Sequence, residues 1–192
     1  MGALRTLGFG GGVAIVAIVA SGLAACGPRT ASDGAQGQPT SAPWATYAAP
    51  STMNTDWKLS SWTVTKGSVD LIDSLWSAPG GLLSVDVDGT VPGEMKSSFA
   101  TIPGKHYLVT FLLSANGACA ARIKKLRVSA GRDSVLYTVD SKIVKAQASK
   151  WYSKRWSFKA IAPTTTLVLA SEDDPGSMCG PAIAGVDVNL SR

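Results

Sequence analysis

Short runs of β-type residues separated by turn signals are the feature that most constrains how this chain can fold. The runs are rich in β-branched and aromatic residues, and clusters such as Pro79-Gly80-Gly81 and Asn116-Gly117 stand between them. Closely spaced strands bounded by such turns are typical of antiparallel sandwiches. The predicted strands cover residues 59–65, 68–72, 82–87, 94–101, 107–115, 121–130, 134–140, 151–161, 165–171 and 183–190. We therefore expect an all-β fold, an antiparallel β-sandwich.

Alternation along two runs predicts which side chains face the core. Every second side chain from Tyr107 to Leu113 is large and apolar, and Leu108 and Leu112 lie between them, so this strand is expected to be covered on both faces. In residues 152–160 one face is largely aromatic, whereas the other is polar and is expected to meet water. The only predicted helix is short and covers residues 142–150.

The first residues have the pattern of an export signal. Arg5 precedes a short apolar run at residues 13–20, which is too short to span a bilayer comfortably, and small residues lead to Cys26. The stretch Leu23-Ala24-Ala25-Cys26 resembles a bacterial lipobox, which implies removal of residues 1–25 and attachment of lipid, including palmitate, to the Cys26 thiol. An ordinary signal peptide with a chance cysteine is the alternative. We expect a protein anchored by lipid to a membrane of the cell envelope, on the extracytoplasmic side.

Composition divides the rest of the chain into a linker and one domain. Residues 26–50 are rich in Ala, Pro, Gly, Ser and Thr, which predicts a tether. Residues 51–192 are numerous enough for one domain with a full hydrophobic core. The formal net charge of +5 is modest. It fits weak attraction to anionic polymers or lipid head groups, and it argues against a dedicated nucleic-acid-binding protein.

Cys119 and Cys179 remain once Cys26 is assigned to the lipid anchor. An even pair of cysteines in an oxidising compartment predicts a disulfide. Two reduced thiols and a metal site are the alternatives. The metal alternative is weak because His106 is the only histidine and zinc normally takes four ligands.

Several linked motifs carry a resemblance to a known family. They are "WTVTKGSVDLID" (62–73), "LLSVDVDG" (82–89), "SFATIPGKHYLVTFLLSAN" (98–116), "KLRVSAG" (125–131), "FKAIAPTTTLVLAS" (158–171) and "CGPAIAGVDV" (179–188). In this order they resemble the DUF642, or choice-of-anchor C, family of extracellular proteins. The resemblance implies a galactose-binding-like jelly roll that serves as a non-catalytic binding module, and plant members are associated with cell-wall polysaccharides. One departure is Gly185, which stands where the family commonly has an aspartate.

Residues able to perform catalysis or hold a metal are few. His106 has no evident carboxylate partner for a nucleophilic triad, and no glycine-rich phosphate loop occurs. We therefore expect no enzymatic activity and no obligatory cofactor. Asp86 and Asp88 in "DVDG" resemble the opening of a calcium loop, and the acidic residues 172–174 could complete a structural calcium site. The twelfth loop position holds Ser97 instead of glutamate, so a solvated turn is the favoured interpretation.

Aromatic side chains with polar neighbours are the best candidates for ligand binding. Sugars present apolar C–H faces and hydroxyls, which suit an exposed ring beside hydrogen-bonding groups. Trp76 and Trp151 are the tryptophans expected to be most exposed, and Tyr152 and Arg155 follow directly; Trp57 and Trp62 are lesser candidates, and Trp62, Trp156 and Phe158 have the spacing of core residues. Basic residues also gather nearby, which indicates either a solvated face or a surface for anionic glycan or phospholipid: Lys142, Lys145, Lys150, Lys154, Arg155 and Lys159.

The sequence thus predicts a lipid-anchored surface protein whose β-sandwich binds envelope or extracellular polysaccharide. The alternative is a structural or protein–protein interaction module with an envelope protein as its partner and no sugar site.

Overall fold

The computed structural model describes residues 42–144 and 150–191. Within these ranges the chain forms two six-stranded antiparallel sheets. The strands are β1 (Trp44–Ala48), β2 (Ser51–Asn54), β3 (Ser61–Lys66), β4 (Ser68–Ile72), β5 (Ser84–Asp86), β6 (Glu94–Ala100), β7 (His106–Ala115), β8 (Ile123–Ala130), β9 (Asp133–Asp140), β10 (Tyr152–Lys159), β11 (Thr164–Ser171) and β12 (Pro181–Leu190). The predicted all-β sandwich is confirmed.

Each sheet contains strands from the beginning, the middle and the end of the described residues. Sheet A has the order β1-β4-β5-β12-β7-β10, and sheet B has the order β2-β3-β6-β11-β8-β9. The edge strands β10 of sheet A and β9 of sheet B lie on the same side of the sandwich and contact each other. This side is here called the β9–β10 edge.

Inward-facing side chains of both sheets fill one core. In β7 the residues from Tyr107 to Leu113 alternate between buried and half-buried, as predicted. In β10 the aromatic face is buried or half-buried and the polar face is exposed, which confirms the predicted alternation. Trp62 is 1% exposed and packs edge-on against Trp57, with ring centroids 5.9 Å apart. Burial of such large apolar side chains is the main favourable contribution to folding.

The sandwich begins earlier in the chain than composition predicts. Strand β1 lies within residues 26–50, which were predicted to be linker, yet it pairs with β4 over five positions from Trp44↔Ile72 to Ala48↔Ser68. The Thr46 hydroxyl also donates a hydrogen bond of 2.6 Å to the Asp70 carboxylate. A stretch rich in alanine, threonine and proline is not expected to form a strand. Strand β1 forms because it pairs with its partner strand, and not because its own composition favours a strand.

Two other expectations fall partly or wholly outside the described residues. The predicted helix at 142–150 corresponds to a four-residue helix, α1 (Ser141–Val144), and residues 145–149 are not described. The export signal and Cys26 also lie outside the described ranges. Among the helices of the described residues, none has the length and apolar character needed to cross a membrane.

Candidate functional site at the sandwich edge

A tyrosine ties the two sheets together at the β9–β10 edge. The Tyr137 hydroxyl on β9 donates a hydrogen bond of 3.1 Å to the backbone carbonyl of Arg155 on β10. The Tyr137 ring also packs edge-on against Phe111, with centroids 5.4 Å apart. Burial raises the pKa of the Tyr137 hydroxyl. Tyr137 therefore holds the edge in a fixed position while its ring remains only half-buried.

Lysine ammonium groups lie over the tyrosine rings of this edge. Lys154 Nζ is 5.7 Å from the centroid of Tyr137 and 5.6 Å from that of Tyr152, and Lys150 Nζ is 5.3 Å from that of Tyr152. Cations at such distances are attracted by the ring quadrupole. The attraction keeps positive charge and aromatic surface together beside the edge.

A shallow groove, here called the edge groove, opens next to these residues. Its volume is about 660 Å³, and its lining consists of His106, Arg132, Asp133, Ser134, Trp156, Ser157, Phe158 and Lys159. Trp156 is half-buried and packs against Phe158, with ring centroids 5.8 Å apart. The backbone N–H of Lys159 donates to the Asp133 carboxylate at 3.1 Å, which fixes one wall. The groove thus combines a supported indole ring with polar and charged side chains.

The cations of the groove and its surroundings are not neutralised by acidic partners. Among the described residues, Arg132, Lys154, Arg155 and Lys159 form no ion pair; the five ion pairs found there involve other basic side chains. Uncompensated positive charge beside a groove attracts anionic ligands, and the attraction weakens as salt rises.

The expectation that Trp76 is exposed is wrong. Trp76 is 7% exposed, and its indole N–H donates to the Ser84 hydroxyl at 2.8 Å. The segment between β4 and β5 folds back, so that Trp76 packs with Ile72 and Ala182 in a second apolar cluster. Trp57 is also buried, with its indole N–H bonded to the Leu83 carbonyl at 2.7 Å. Neither tryptophan can serve as an exposed platform.

The other three predicted residues are not brought together. Trp151 packs against the Trp76 cluster, and its indole N–H donates to the Ser77 carbonyl at 3.1 Å. Tyr152 lies on the half-buried face of β10, whereas Arg155 is on the exposed face. Alternation places side chains three positions apart on opposite sides of a strand. Tyr152 therefore belongs to the β9–β10 edge, and Arg155 extends from the outer face of sheet A.

Sequence reasoning missed the residues that build the groove. Trp156 was assigned to the core because of its spacing, although it also lines the groove. No sequence pattern distinguishes Arg132 or Tyr137, because only the contact between β9 and β10 brings them close to β10. The aromatic and basic side chains of β10 are the signal in the sequence that indicates this region. They do not indicate that β9 is the neighbouring strand.

Both carboxylate oxygens of Asp86, the first of the two predicted calcium ligands, accept hydrogen bonds from protein groups. Asp86 is buried, and its Oδ1 accepts the backbone N–H groups of Asp88 at 3.0 Å and Gly180 at 2.8 Å, while Oδ2 accepts the Asn116 amide at 2.8 Å. Burial raises the pKa of Asp86 well above its ordinary value, and these hydrogen bonds act in the opposite direction. Asp86 thus pins the start of β12 to β5.

The second predicted ligand, Asp88, lies beside a buried lysine. Lys124 is fully buried, and its Nζ is 4.0 Å from Oδ2 of Asp173. Neither Asp88 oxygen, nor Lys124 Nζ, nor Asp173 Oδ2 has a hydrogen-bond partner among the described residues. Burial raises the pKa of Asp88, and burial together with the Asp88 charge raises the pKa of Asp173 to about 6.

This cluster is a poor match for a calcium site. The oxygens of Asp86 already accept N–H groups, and the Lys124 ammonium supplies positive charge beside Asp88 and Asp173. Among the described residues no group of three or more His, Cys, Asp or Glu side chains is arranged to hold a metal ion. Calcium binding stays an untested prediction. The favoured interpretation of a solvated turn is wrong, because Asp86 and Asp88 are 1% and 0% exposed.

The predicted disulfide joins Cys119 to Cys179, which are 60 residues apart in sequence. It fastens the segment before β8 to the segment before β12. A second cavity of about 280 Å³ lies next to it and is bordered by Cys119, Ile123, Lys125, Asp173 and Met178, among others.

The chain belongs to the DUF642 family, a family of unknown function whose model matches residues 36–189. It is 27% identical over 146 residues to halomucin of Haloquadratum walsbyi, and the match covers 74% of this chain but 1% of halomucin. In fold it is similar to a family 35 carbohydrate-binding module from Clostridium thermocellum, with 15% identity, a TM-score of 0.45 and coverage of 78% of this chain and 100% of that one. It is also similar to the xylan-binding CBM22-1 domain of Xyn10C from Paenibacillus barcinonensis, with 12% identity, a TM-score of 0.47 and coverage of 76% and 92%. The similarities to the two carbohydrate-binding modules concern the fold alone.

Proposed function

We propose that this protein is a non-catalytic binding module for acidic extracellular polysaccharide and that the edge groove is its binding site. The observation that carries the proposal is the half-buried Trp156 ring, which lines a groove together with Arg132 and Lys159. Neither of these cations has an acidic ion-pair partner among the described residues.

The chemistry of the groove suits an anionic sugar. The apolar C–H face of a pyranose packs on an indole ring, and Phe158 supports Trp156 from within the sandwich. A uronate carboxylate or a sulfate can accept charge-assisted hydrogen bonds from Arg132 and Lys159. The Ser134 hydroxyl and the Asp133 carboxylate can bond sugar hydroxyls. The shallow shape allows a long chain to cross the groove without its ends being enclosed.

Replacing Trp156 by alanine is expected to weaken binding of polygalacturonate about tenfold, which corresponds to about 1.4 kcal/mol. The reason is loss of the ring on which the sugar packs. Affinity electrophoresis in gels containing polygalacturonate measures the effect, with dextran as the neutral comparison polymer. Trp156→Phe keeps a smaller ring and is expected to retain part of the affinity.

Trp151→Ala is the matched control, because Trp151 is also half-buried but contacts Ser77 instead of the groove. It is expected to bind as the unchanged protein does. The double variant Arg132→Ala/Lys159→Ala changes only exposed side chains and is expected to abolish the preference for polygalacturonate over dextran. Equal binding by Trp156→Ala and the unchanged protein, or loss of binding in Trp151→Ala alone, would contradict the assignment.

The proposal includes a lipid anchor at Cys26, which would hold the module at the envelope surface. It rests on the signal-like residues 1–25 and the lipobox-like residues 23–26. Each buried CH₂ of an acyl chain contributes about 0.8 kcal/mol to membrane binding, so two or more chains give firm attachment.

In a bacterial host supplied with an alkyne-bearing palmitate analogue, we expect the full chain to be labelled and Cys26→Ser to remain unlabelled. The thiol is needed because it accepts the lipid. In-gel fluorescence measures the label, and Cys119→Ser is a cysteine control expected to stay labelled. Equal labelling of the Cys26→Ser variant would overturn the anchor.

A further inference from the structure

A lysine occupies a position of the core where the strand pattern requires an apolar side chain. In β8 the buried positions are Lys124, Leu126, Val128 and Ala130, which alternate with half-buried or exposed residues. Lys124 lies opposite the buried Val139 of β9 and is 0% exposed. A buried lysine in an otherwise apolar face is costly unless it is paired or changed chemically.

The partners of this lysine are two carboxyl groups that are also buried. The Asp173 side chain is 3% exposed and Asp88 is 0% exposed. The Lys124–Asp173 approach of 4.0 Å is too long for a hydrogen bond, and the facing atoms have no other partner among the described residues. An ion pair that is desolvated but not hydrogen-bonded gains little from its charges. Burial together with the Asp88 charge raises the pKa of Asp173 to about 6, so its carboxylic acid form is more accessible than that of a carboxyl group in water.

The two oxygens of Asp173 have different environments. Its Oδ1 accepts a hydrogen bond of 2.7 Å from the backbone N–H of Lys125, while its Oδ2 faces Lys124 and is unpaired. An N–H donor at a carbonyl oxygen stabilises the negative charge that develops there when a nucleophile attacks the carbon. Asp88 lies near Lys124 and Asp173. Burial raises the pKa of Asp88 and the Lys124 charge lowers it, while the Asp88 charge raises the pKa of Asp173.

We propose that Lys124 and Asp173 become joined by an intramolecular amide bond, formed without an enzyme once the chain has folded, with Asp88 as the proton relay. The cluster has the parts of an acyl-transfer site: a buried amine, a carboxyl group with a polarised carbonyl, and a second carboxyl group. The reacting atoms, Nζ of Lys124 and Cγ of Asp173, must come within about 3 to 3.5 Å, and Nζ is already 4.0 Å from Oδ2 of the same carboxyl group. The proposal is independent of the function proposed for the edge groove.

The reaction is a condensation and needs no oxidant or co-reactant. A proton passes from the Lys124 ammonium to the Asp173 carboxylate, which leaves an amine and a carboxylic acid. The amine lone pair attacks Cγ of Asp173 and forms the C–N bond, while the charge on Oδ1 is held by the Lys125 N–H. Asp88 takes a proton from the nitrogen and gives it to Oδ2, the Cγ–Oδ2 bond breaks, and Oδ2 leaves as water. Asp88 ends in its starting protonation state.

The bond would lie close to the disulfide and would fasten the same region. It would join β8 directly to the segment after β11, whereas Cys119–Cys179 joins the segments before β8 and before β12. Unlike a disulfide, an amide bond is not broken by thiol reductants, so it would hold this part of the sandwich when the disulfide is reduced. The amide is neutral, so its formation would also remove the cost of burying the charges of Lys124 and Asp173.

A tryptic map of the reduced and alkylated full chain tests the proposal. Trypsin cleaves after Lys and Arg, so an unmodified chain is cut after Lys124. With the bond present, we expect residues 123–125, uncut after Lys124, joined to residues 160–192, with a mass one water below the sum of the two peptides. Tandem mass spectrometry assigns the joined residues. Free residues 160–192 together with cleavage after Lys124 would overturn the proposal, and a bond to residues 67–96 would overturn the choice of Asp173.

Two matched pairs of variants test the roles of Lys124 and Asp88. Lys124→Arg is expected to lose the bond and Lys125→Arg to keep it. Asp88→Asn is expected to leave most chains unbonded, whereas Asp174→Asn, an exposed neighbour of Asp173, is expected to form the bond fully. Circular dichroism shows whether each variant is folded. A folded Asp88→Asn chain that is bonded as fully as the unchanged protein would overturn the role of Asp88, and the map of the unchanged protein decides the proposal even if a variant does not fold.

Discussion

Replacing Asp86 by alanine is expected to lower the free energy of unfolding by at least about 3 kcal/mol, because each buried donor left without an acceptor costs about 1–3 kcal/mol. The donors left unpaired are the backbone N–H groups of Asp88 and Gly180 and the side-chain amide of Asn116. Such a loss is large for a domain whose total stability is about 5–15 kcal/mol. Urea unfolding followed by tryptophan fluorescence measures it.

Two further aspartate variants show whether the hydrogen bonds are the cause. Asp86→Asn keeps an oxygen for the two backbone donors but presents its amide to Asn116, so a smaller loss of about 1–3 kcal/mol is expected. Asp73→Ala removes an exposed carboxylate and is expected to change stability by less than about 0.5 kcal/mol. Equal stability of Asp86→Ala and Asp73→Ala would show that Asp86 does not pin the two strands.

Loss of the disulfide in Cys119→Ser/Cys179→Ser is expected to lower the free energy of unfolding by about 3 to 4 kcal/mol. The physical reason is loop closure: a bridge over 60 residues restricts the unfolded chain. The midpoint of urea unfolding, compared at equal m-value, gives the difference.

The size of this loss also depends on the proposed amide bond. If Lys124 and Asp173 are joined, the loop that the disulfide closes is effectively much shorter, and the expected loss lies near the lower value of about 3 kcal/mol. In Lys124→Arg the same cysteine replacements should cost about 4 kcal/mol. A cost below about 1 kcal/mol in both backgrounds would contradict the role of the disulfide in stability.

The sequence predicts the sandwich well because strand periodicity is a local property. The turn residues and the alternation in β7 and β10 are visible without knowledge of any partner strand. Strand β1 is different: residues 44–48 have a linker-like composition, and only pairing with β4 makes them a strand. Local pattern therefore identifies the strands that alternate clearly and misses two, β1 and β2, which pair with β4 and β3.

The site was harder to predict because it depends on contacts between distant segments. Trp76 stands beside Pro and Gly residues and was therefore expected to be exposed, but the segment carrying it folds onto sheet A. Arg132 and Trp156 are separated in sequence and meet only because β9 and β10 are both edge strands. Lys124 alternates with Leu126, Val128 and Ala130 and so falls on the apolar face of β8, but a lysine in a basic run is normally expected to be exposed, and only the packing of the sandwich shows that it is buried.

An NMR titration of the isotope-labelled protein with galacturonate oligosaccharides tests most directly whether the edge groove binds acidic sugar. We expect the indole N–H signal of Trp156 and the backbone signals of Arg132, Asp133 and Lys159 to shift together. The signals of Trp151 and Trp76 should stay in place, and maltose oligosaccharides should cause no shifts. Shifts centred on Trp151 and the outer face of sheet A, or no shifts with the acidic sugar, would contradict the assignment of the edge groove as the binding site.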